Sequence, residues 1–239
     1  MNMKTIIIIA PQYQQLKTFI SSLPHDFQSK GTTIYKARNE IKNFEIEGKL
    51  LTVKGYKRPH IINQIVYGTF RQSKAKRAYN YALQLREKGI STPEPVAYIE
   101  QYKGLLMTNS YFVSLFSPES HILRELSDYK VEGNEELLNA LAAYTASMHE
   151  KEVYPIDYSP GNVLFEKENG TFRFTLLDIN RMKFGIVTER IAAQCFRRFF
   201  MDQTLIEFIA REYARLRGFE PSAFAKDAIR YHTGFWKKR

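Results

Sequence analysis

The stretch Tyr154–Phe165, YPIDYSPGNVLF, carries an aspartate and an asparagine five positions apart, Asp157 and Asn162, with Pro160 and Gly161 between them. Proline fixes its own φ and glycine tolerates close turns, so the segment reads as a tight loop. The apolar run from Val163 then reads as a strand. An aspartate in such a turn often only bonds its own backbone. Asp157 alone therefore says little, and the reading depends on what surrounds it.

Residues 135–151, EELLNALAAYTASMHEK, have the spacing of an amphipathic helix that enters the loop. NVLFEKENGTFRFTLLDI leaves it as a β-hairpin turning at Asn169–Gly170, and Asp178 closes that hairpin. Helix, D-x-x-x-x-N, hairpin and apolar-Asp in this order resemble the catalytic segment of the protein-kinase-like fold. Phosphoryl transfer needs these residue types. An aspartate near the acceptor hydroxyl orients it and takes its proton. An amide oxygen and a second carboxylate are hard ligands for Mg²⁺, which holds nucleotide phosphates. Asp157 is thus the candidate base, and Asn162 and Asp178 are the candidate metal and cofactor ligands.

The first half of the chain reads differently. TTIYKA, EIKNFEI and KLLTVKGY are strands, with a hairpin turn at Glu47–Gly48. QQLKTFISSLP reads as a short amphipathic helix ending before Pro24. Phe70–Lys88 reads as a helix stopped by Gly89. VAYIEQYKGLLMTNSYFV gives two strands turning near Lys103–Gly104. A kinase-like site demands a strand lysine for the nucleotide phosphates, and Lys54 supplies it, with Lys57 the weaker choice. SYFVSLF, Ser110–Phe116, falls where a kinase hinge would meet adenine. The expected class is α+β, a two-lobed protein-kinase-like fold. Its N-terminal lobe, 1–114, would hold an antiparallel sheet and one main helix, and its C-terminal lobe, 115–239, would be mostly helical.

The segments GISTPEPVAYIE, MHEKEVYPIDYSPGNVLF and DINRM resemble the lipopolysaccharide core kinase family, whose members phosphorylate Kdo or heptose sugars. The resemblance covers about residues 30–200. It implies Mg²⁺-ATP as donor and a sugar hydroxyl of the lipopolysaccharide inner core as acceptor. By position, Asp157 is then the base, Asn162 and Asp178 the metal ligands and Lys54 the phosphate lysine. Several positions depart from the kinase pattern. Pro155 replaces the usual histidine, and Asn180 the glycine after Asp178, although asparagine tolerates left-handed backbone. No glycine-rich loop precedes Lys54. Ala78 stands where the helix should carry the acid that pairs with that lysine.

Charge bounds the partners. Residues 1–110 hold 17 Lys+Arg against 7 Asp+Glu, residues 111–178 hold 5 against 12, and residues 179–239 hold 13 against 6. An acidic middle inside a basic chain suits an anionic partner: a phosphorylated glycan, acidic lipid or nucleic acid. No nucleic-acid motif accompanies the charge, so nucleic acid is not expected. MNMKTIIIIAPQY opens like a signal peptide, but Ile6–Ala10 is too short for a signal core and reads as a buried strand. The single cysteine, Cys195, fits a reducing compartment and a core position. The expected location is the cytoplasm, with peripheral contact at the anionic inner face of the inner membrane. The basic cluster Arg71, Lys74, Lys76 and Arg77 is a solvated helix face or a grip on anionic groups. His149 reads as a packing residue, and His25, His60, His121 and His232 lack metal-ligand spacing. The residues alone leave two alternatives open: a kinase for a small-molecule or protein acceptor, and a pseudokinase that binds through a basic membrane-facing surface.

Overall fold

The structure is a computed structural model that describes residues 3–37, 39–56, 72–128, 130–199 and 202–237. Lys57, His60, Phe70 and Arg71, and the last two residues of the terminal WKKR, lie outside the described residues. The chain forms two compact units, Met1–Glu87 with Pro93–Pro118, and Lys88–Thr92 with Glu119–Arg239.

The first unit is built on an antiparallel six-stranded sheet. Its strands are β1 Met3–Ile9, β2 Thr32–Lys36, β3 Asn39–Ile46, β4 Lys49–Tyr56, β5 Pro95–Lys103 and β6 Leu106–Leu115, in the order β1-β5-β6-β4-β3-β2. The β3–β4 hairpin turns at Glu47–Gly48, both at positive φ (50° and 70°), the geometry that matches strand twist. Alternation along β4 assigns its two faces. Leu51, Val53 and Gly55 point to one face, which meets the ring of Phe27 just beyond helix α1 (Lys17–Asp26). A Cβ on Gly55 would come within 2.8 Å of that ring, so the glycine permits the close approach. Thr52, Lys54 and Tyr56 point to the other face, which receives helix α2 (Lys74–Glu87) through the Tyr79–Tyr98 ring contact at 5.3 Å.

Two expectations change here. Ile6–Ala10 is not a buried strand. Ile6–Ile9 form the second half of β1, at the sheet edge, paired among the described residues with β5 alone and with Ile8 42% exposed, while Ala10 follows the strand and is buried. An edge strand has a neighbour on one side only, so an apolar run does not by itself give burial. Helix α1 also runs through Pro24 to Asp26 rather than ending before it. Proline removes one N–H from the ladder. The turn still closes, because Phe27 N–H donates to Leu23 O at 2.8 Å and both residues are buried.

The second unit is mostly helical. Helix α3 (Glu135–Glu150) packs against α5 (Gln203–Arg217), which pairs with α6 (Pro221–Trp236); the short α4 (Glu189–Cys195) lies against α6. Leu138, Leu141, Leu205, Ile206 and Ile209 are fully buried, and each such side chain stabilises by about 1.5–3 kcal/mol. Phe196, Tyr213, Phe219 and Phe224 form an aromatic cluster at that core. Two small sheets complete the unit: β7 (His121–Ile122) with the β9–β10 hairpin (Val163–Glu168, Thr171–Leu176), and β8 (Val153–Pro155) with β11 (Met182–Phe184). Segment 88–92 runs beside β10, with Leu176 N–H donating to Ser91 O and Thr92 Oγ1 donating to Leu176 O.

His149 is part of this core. It is 1% exposed and bonds Tyr213 Oη through Nδ1 at 2.8 Å, while Arg217 Nη1 donates to the same phenol oxygen at 2.9 Å. Burial, reinforced by the Arg217 charge, pushes its pKa down to about 3. The unfolded chain takes up a proton near pH 6.5 and the folded chain does not, so stability is lost as pH falls from about 6.5 toward 3. Between pH 7.5 and 5.0 this group alone should cost about 2 kcal/mol. Denaturant unfolding at the two pH values, on the wild type and on His149→Gln, checks this. The variant should lack that share of the acid sensitivity.

Candidate active site

The Asp157–Asn162 loop is anchored from below. Tyr158 is fully buried, its hydroxyl shares a hydrogen bond of 2.9 Å with Thr145 on α3, and its ring meets Phe199 at 4.9 Å. Pro160 is buried and starts a short 3₁₀ turn through Asn162. Gly161 does not take positive φ. Its role is space: the guanidinium of Arg124 lies where a Cβ would sit, with Nη2 2.0 Å from that position. A side chain there would displace the arginine.

Asn162 links the loop to the hairpin. Its Nδ2 donates to Asp157 O at 3.1 Å, its N–H donates to Ser159 O, and its carbonyl accepts from Leu177 N–H at 2.8 Å. The last bond fixes the residue beside Asp178. Asp178 itself takes the left-handed conformation, φ 50° and ψ 45°, and accepts a short hydrogen bond from Asn180 Nδ2. The left-handed residue is thus the aspartate, and Asn180 supports its carboxylate. A non-glycine residue held in this region marks a position the surroundings over-determine, as functional sites often do. Asp157, Asn162 and Asp178 all line one cavity of about 10 Å³, the scale of a single water or ion.

Arginines surround Asp157. Arg198 Nη1 is in close contact with Asp157 Oδ1, and Arg181 Nη1 lies 3.6 Å from Oδ2. Arg197 Nη2 donates to Ile156 O at 3.0 Å. The β8–β11 pairing and the Ile156 N–H to Arg181 O bond bring residues 181–184 beside the loop. The loop 157–162 has no basic residue of its own, so these cations come from elsewhere in the chain.

Lys54 belongs to the first unit, and the three loop and hairpin residues belong to the second. Lys54 pairs with Phe112 and through it with Tyr98, and its ammonium lies 5.5 Å from the Tyr56 ring centroid. The next row on the same face is Tyr56, Ser110 and Glu100. Glu100 is 4% exposed, and it accepts a hydrogen bond from Tyr102, whose pKa burial and this carboxylate drive far up. Ala78 on α2 is buried. Sequence reasoning passed over Glu100, although an acid ending the apolar run PVAYIE was a visible signal. His149 has no part in the site: it is sealed in the helical core. Cys195 is likewise buried, its thiol pushed up to about 12 by desolvation.

The residues fit a hard cation. Asn162 Nδ2 is committed to the loop carbonyl, which leaves its amide oxygen as the available end, and Asp178 adds a carboxylate. Among the described residues no group of three or more His, Cys, Asp or Glu gathers for a metal, here or elsewhere, so the pair Asn162 and Asp178 is the candidate donor set. No described helix is long and apolar enough to cross a membrane.

No curated protein sequence matches the chain. Among solved structures, one described as WaaP in complex with acyl carrier protein matches with a TM-score of 0.66 at 15% identity, covering 97% of this chain and 99% of that one. The fold is therefore kinase-like. Residues 27–218 match the lipopolysaccharide kinase (Kdo/WaaP) family, and a match over that much of the chain shows that the protein belongs to this family of phosphotransferases.

Proposed function

We propose that the protein transfers the γ-phosphate of ATP to a sugar hydroxyl of the lipopolysaccharide inner core, on Kdo or heptose. The observation that carries this reading is the gathering of Asp157, Asn162 and Asp178 around one small cavity in a member of this kinase family. Asp157 orients the acceptor hydroxyl and takes its proton. Asn162 and Asp178 would hold Mg²⁺, which when bound neutralises phosphate charge. Lys54 supplies the cation for the nucleotide phosphates. The protein would work in the cytoplasm, at the inner face of the membrane that carries its acceptor.

Glu100 fills the place left by Ala78. It is the buried acid on the sheet face that carries Lys54, one residue row away, and buried carboxylates require a cation or hydrogen-bond partner. Pairing would orient Lys54 toward the phosphates. Glu100→Gln should weaken ATP binding about 10-fold, the scale of one charge-assisted hydrogen bond. Adding Ala78→Glu should recover much of that loss, which a purely structural role for Glu100 would not produce. Titration of Mg²⁺-ATP into the three proteins checks it.

The acceptor class is tested by offering extracted lipopolysaccharide core, free sugars and a generic protein substrate side by side with labelled ATP. Preference for the glycolipid supports the reading. Preference for a small molecule or protein replaces it with a different kinase on the same scaffold.

A further inference from the structure

The arginines around Asp157 pose a chemical problem. A base must come within about 2.6–3.2 Å of the hydroxyl it serves. In this structure Arg198 forms an ion pair with Asp157 Oδ1 that blocks its approach, and Arg181 stands on the side of Oδ2. Arg198 is well supported there. Its side chain is three-quarters buried, and its guanidinium lies 5.4 Å from the ring centroid of Phe235 on α6. Neighbouring Arg197 holds the backbone at Ile156. A planar guanidinium presents a fork that matches a carboxylate or a phosphate, and it can trade one for another at little net cost.

We propose that Arg198, assisted by Arg181, reads an acidic group on the acceptor, and that this exchange frees Asp157 for the hydroxyl. The inference rests on the kinase reading above. The acidic group lies on the acceptor sugar or next to it, because Arg198 and the base are in direct contact. When it arrives, Arg198 moves from Asp157 to the acceptor anion. Asp157 then accepts the hydroxyl proton as the acceptor oxygen bonds the γ-phosphorus. The bond from that phosphorus to the bridging oxygen breaks, and its electron pair leaves with ADP. An acceptor without the anion leaves the base clamped. Arg198 is on this account a specificity-determining residue that couples acceptor charge to catalysis.

The experiment uses the full chain, Mg²⁺-ATP and three acceptors: the intact core glycolipid, its carboxyl methyl ester and its dephosphorylated form. The two altered forms distinguish a sugar carboxylate from a neighbouring phosphate as the group that is read. Wild type should lose about 10- to 100-fold in kcat/KM on one of the altered forms, the range for a hydrogen bond to a charged group. Arg198→Gln should bind the intact acceptor more weakly, raising KM by that factor while kcat is kept because the clamp on Asp157 is gone too, and should no longer distinguish the three. Arg198→Lys, which keeps the charge but not the fork, should fall between. If Arg198→Gln fails to fold, Arg181→Gln replaces it, since that side chain is more than half exposed; it should show a smaller loss of selectivity. Wild-type selectivity retained in both glutamine variants, or no selectivity in the wild type, overturns this inference alone. No transfer by wild type to any of the three overturns the kinase reading with it.

Discussion

Asp157→Asn is expected to cut phosphoryl transfer by about 10²- to 10⁴-fold, the contribution of a positioned general base. ATP binding should be nearly unchanged, because Asp157 is assigned to the hydroxyl and not to the nucleotide. The substitution keeps the size and leaves the backbone bond from Asn162 Nδ2 to residue 157 O in place. It does remove the carboxylate that Arg198 and Arg181 face. Arg181 is more than half exposed, but Asp157 and Arg198 are mostly buried, so the stability cost should exceed the roughly 0–1 kcal/mol of an exposed ion pair. Steady-state kinetics with a melting curve separates the two effects. A large loss of kcat in a variant that still melts well above the assay temperature fits the assignment, and normal transfer rates sink it.

Asp178→Asn should fail differently. Asparagine tolerates the left-handed backbone that Asp178 adopts at φ 50°, so the turn should survive. The carboxylate for the metal does not survive. Transfer should fall by a factor on the order of 10²–10³, the scale of one preorganised electrostatic group. Here the loss should appear in Mg²⁺-dependent nucleotide binding as well as in kcat, and raised Mg²⁺ should recover part of it. Isothermal titration with ATP at low and high Mg²⁺ reads this directly. Unchanged Mg²⁺ dependence would move the metal site away from Asp178. Wild type that shows no Mg²⁺-dependent nucleotide binding would favour the pseudokinase.

The candidate site was legible where its residues are local in sequence. Asp157, Asn162 and Asp178 lie within one loop and one hairpin, and the chemistry constrains their spacing, so the pattern survives in the sequence. The strands around Glu47–Gly48 and Asn169–Gly170 were legible for the same reason, because left-handed turn residues announce hairpins. What depends on distant pairing was not legible. Arg198 is 41 positions from Asp157, and no short-range rule joins them. Gly161 read as a turn residue, yet it serves to admit the Arg124 guanidinium. The isoleucine run of β1 read as core, because composition cannot tell a central strand from an edge one. Glu100 was visible as an acid in an apolar strand, but its shared face with Lys54 emerges only from the β4-β6-β5 register.

The proposed activity is phosphorylation of a core sugar. Its most direct test is incubation of the protein with Mg²⁺, γ-labelled ATP and extracted lipopolysaccharide core, followed by mass spectrometry of the released inner-core sugars, with Asp157→Asn run in parallel. One added phosphate on a Kdo or heptose residue is expected, present with wild type and lost with the variant. Unmodified core sugars, with a known lipopolysaccharide kinase active on the same acceptor, would contradict it.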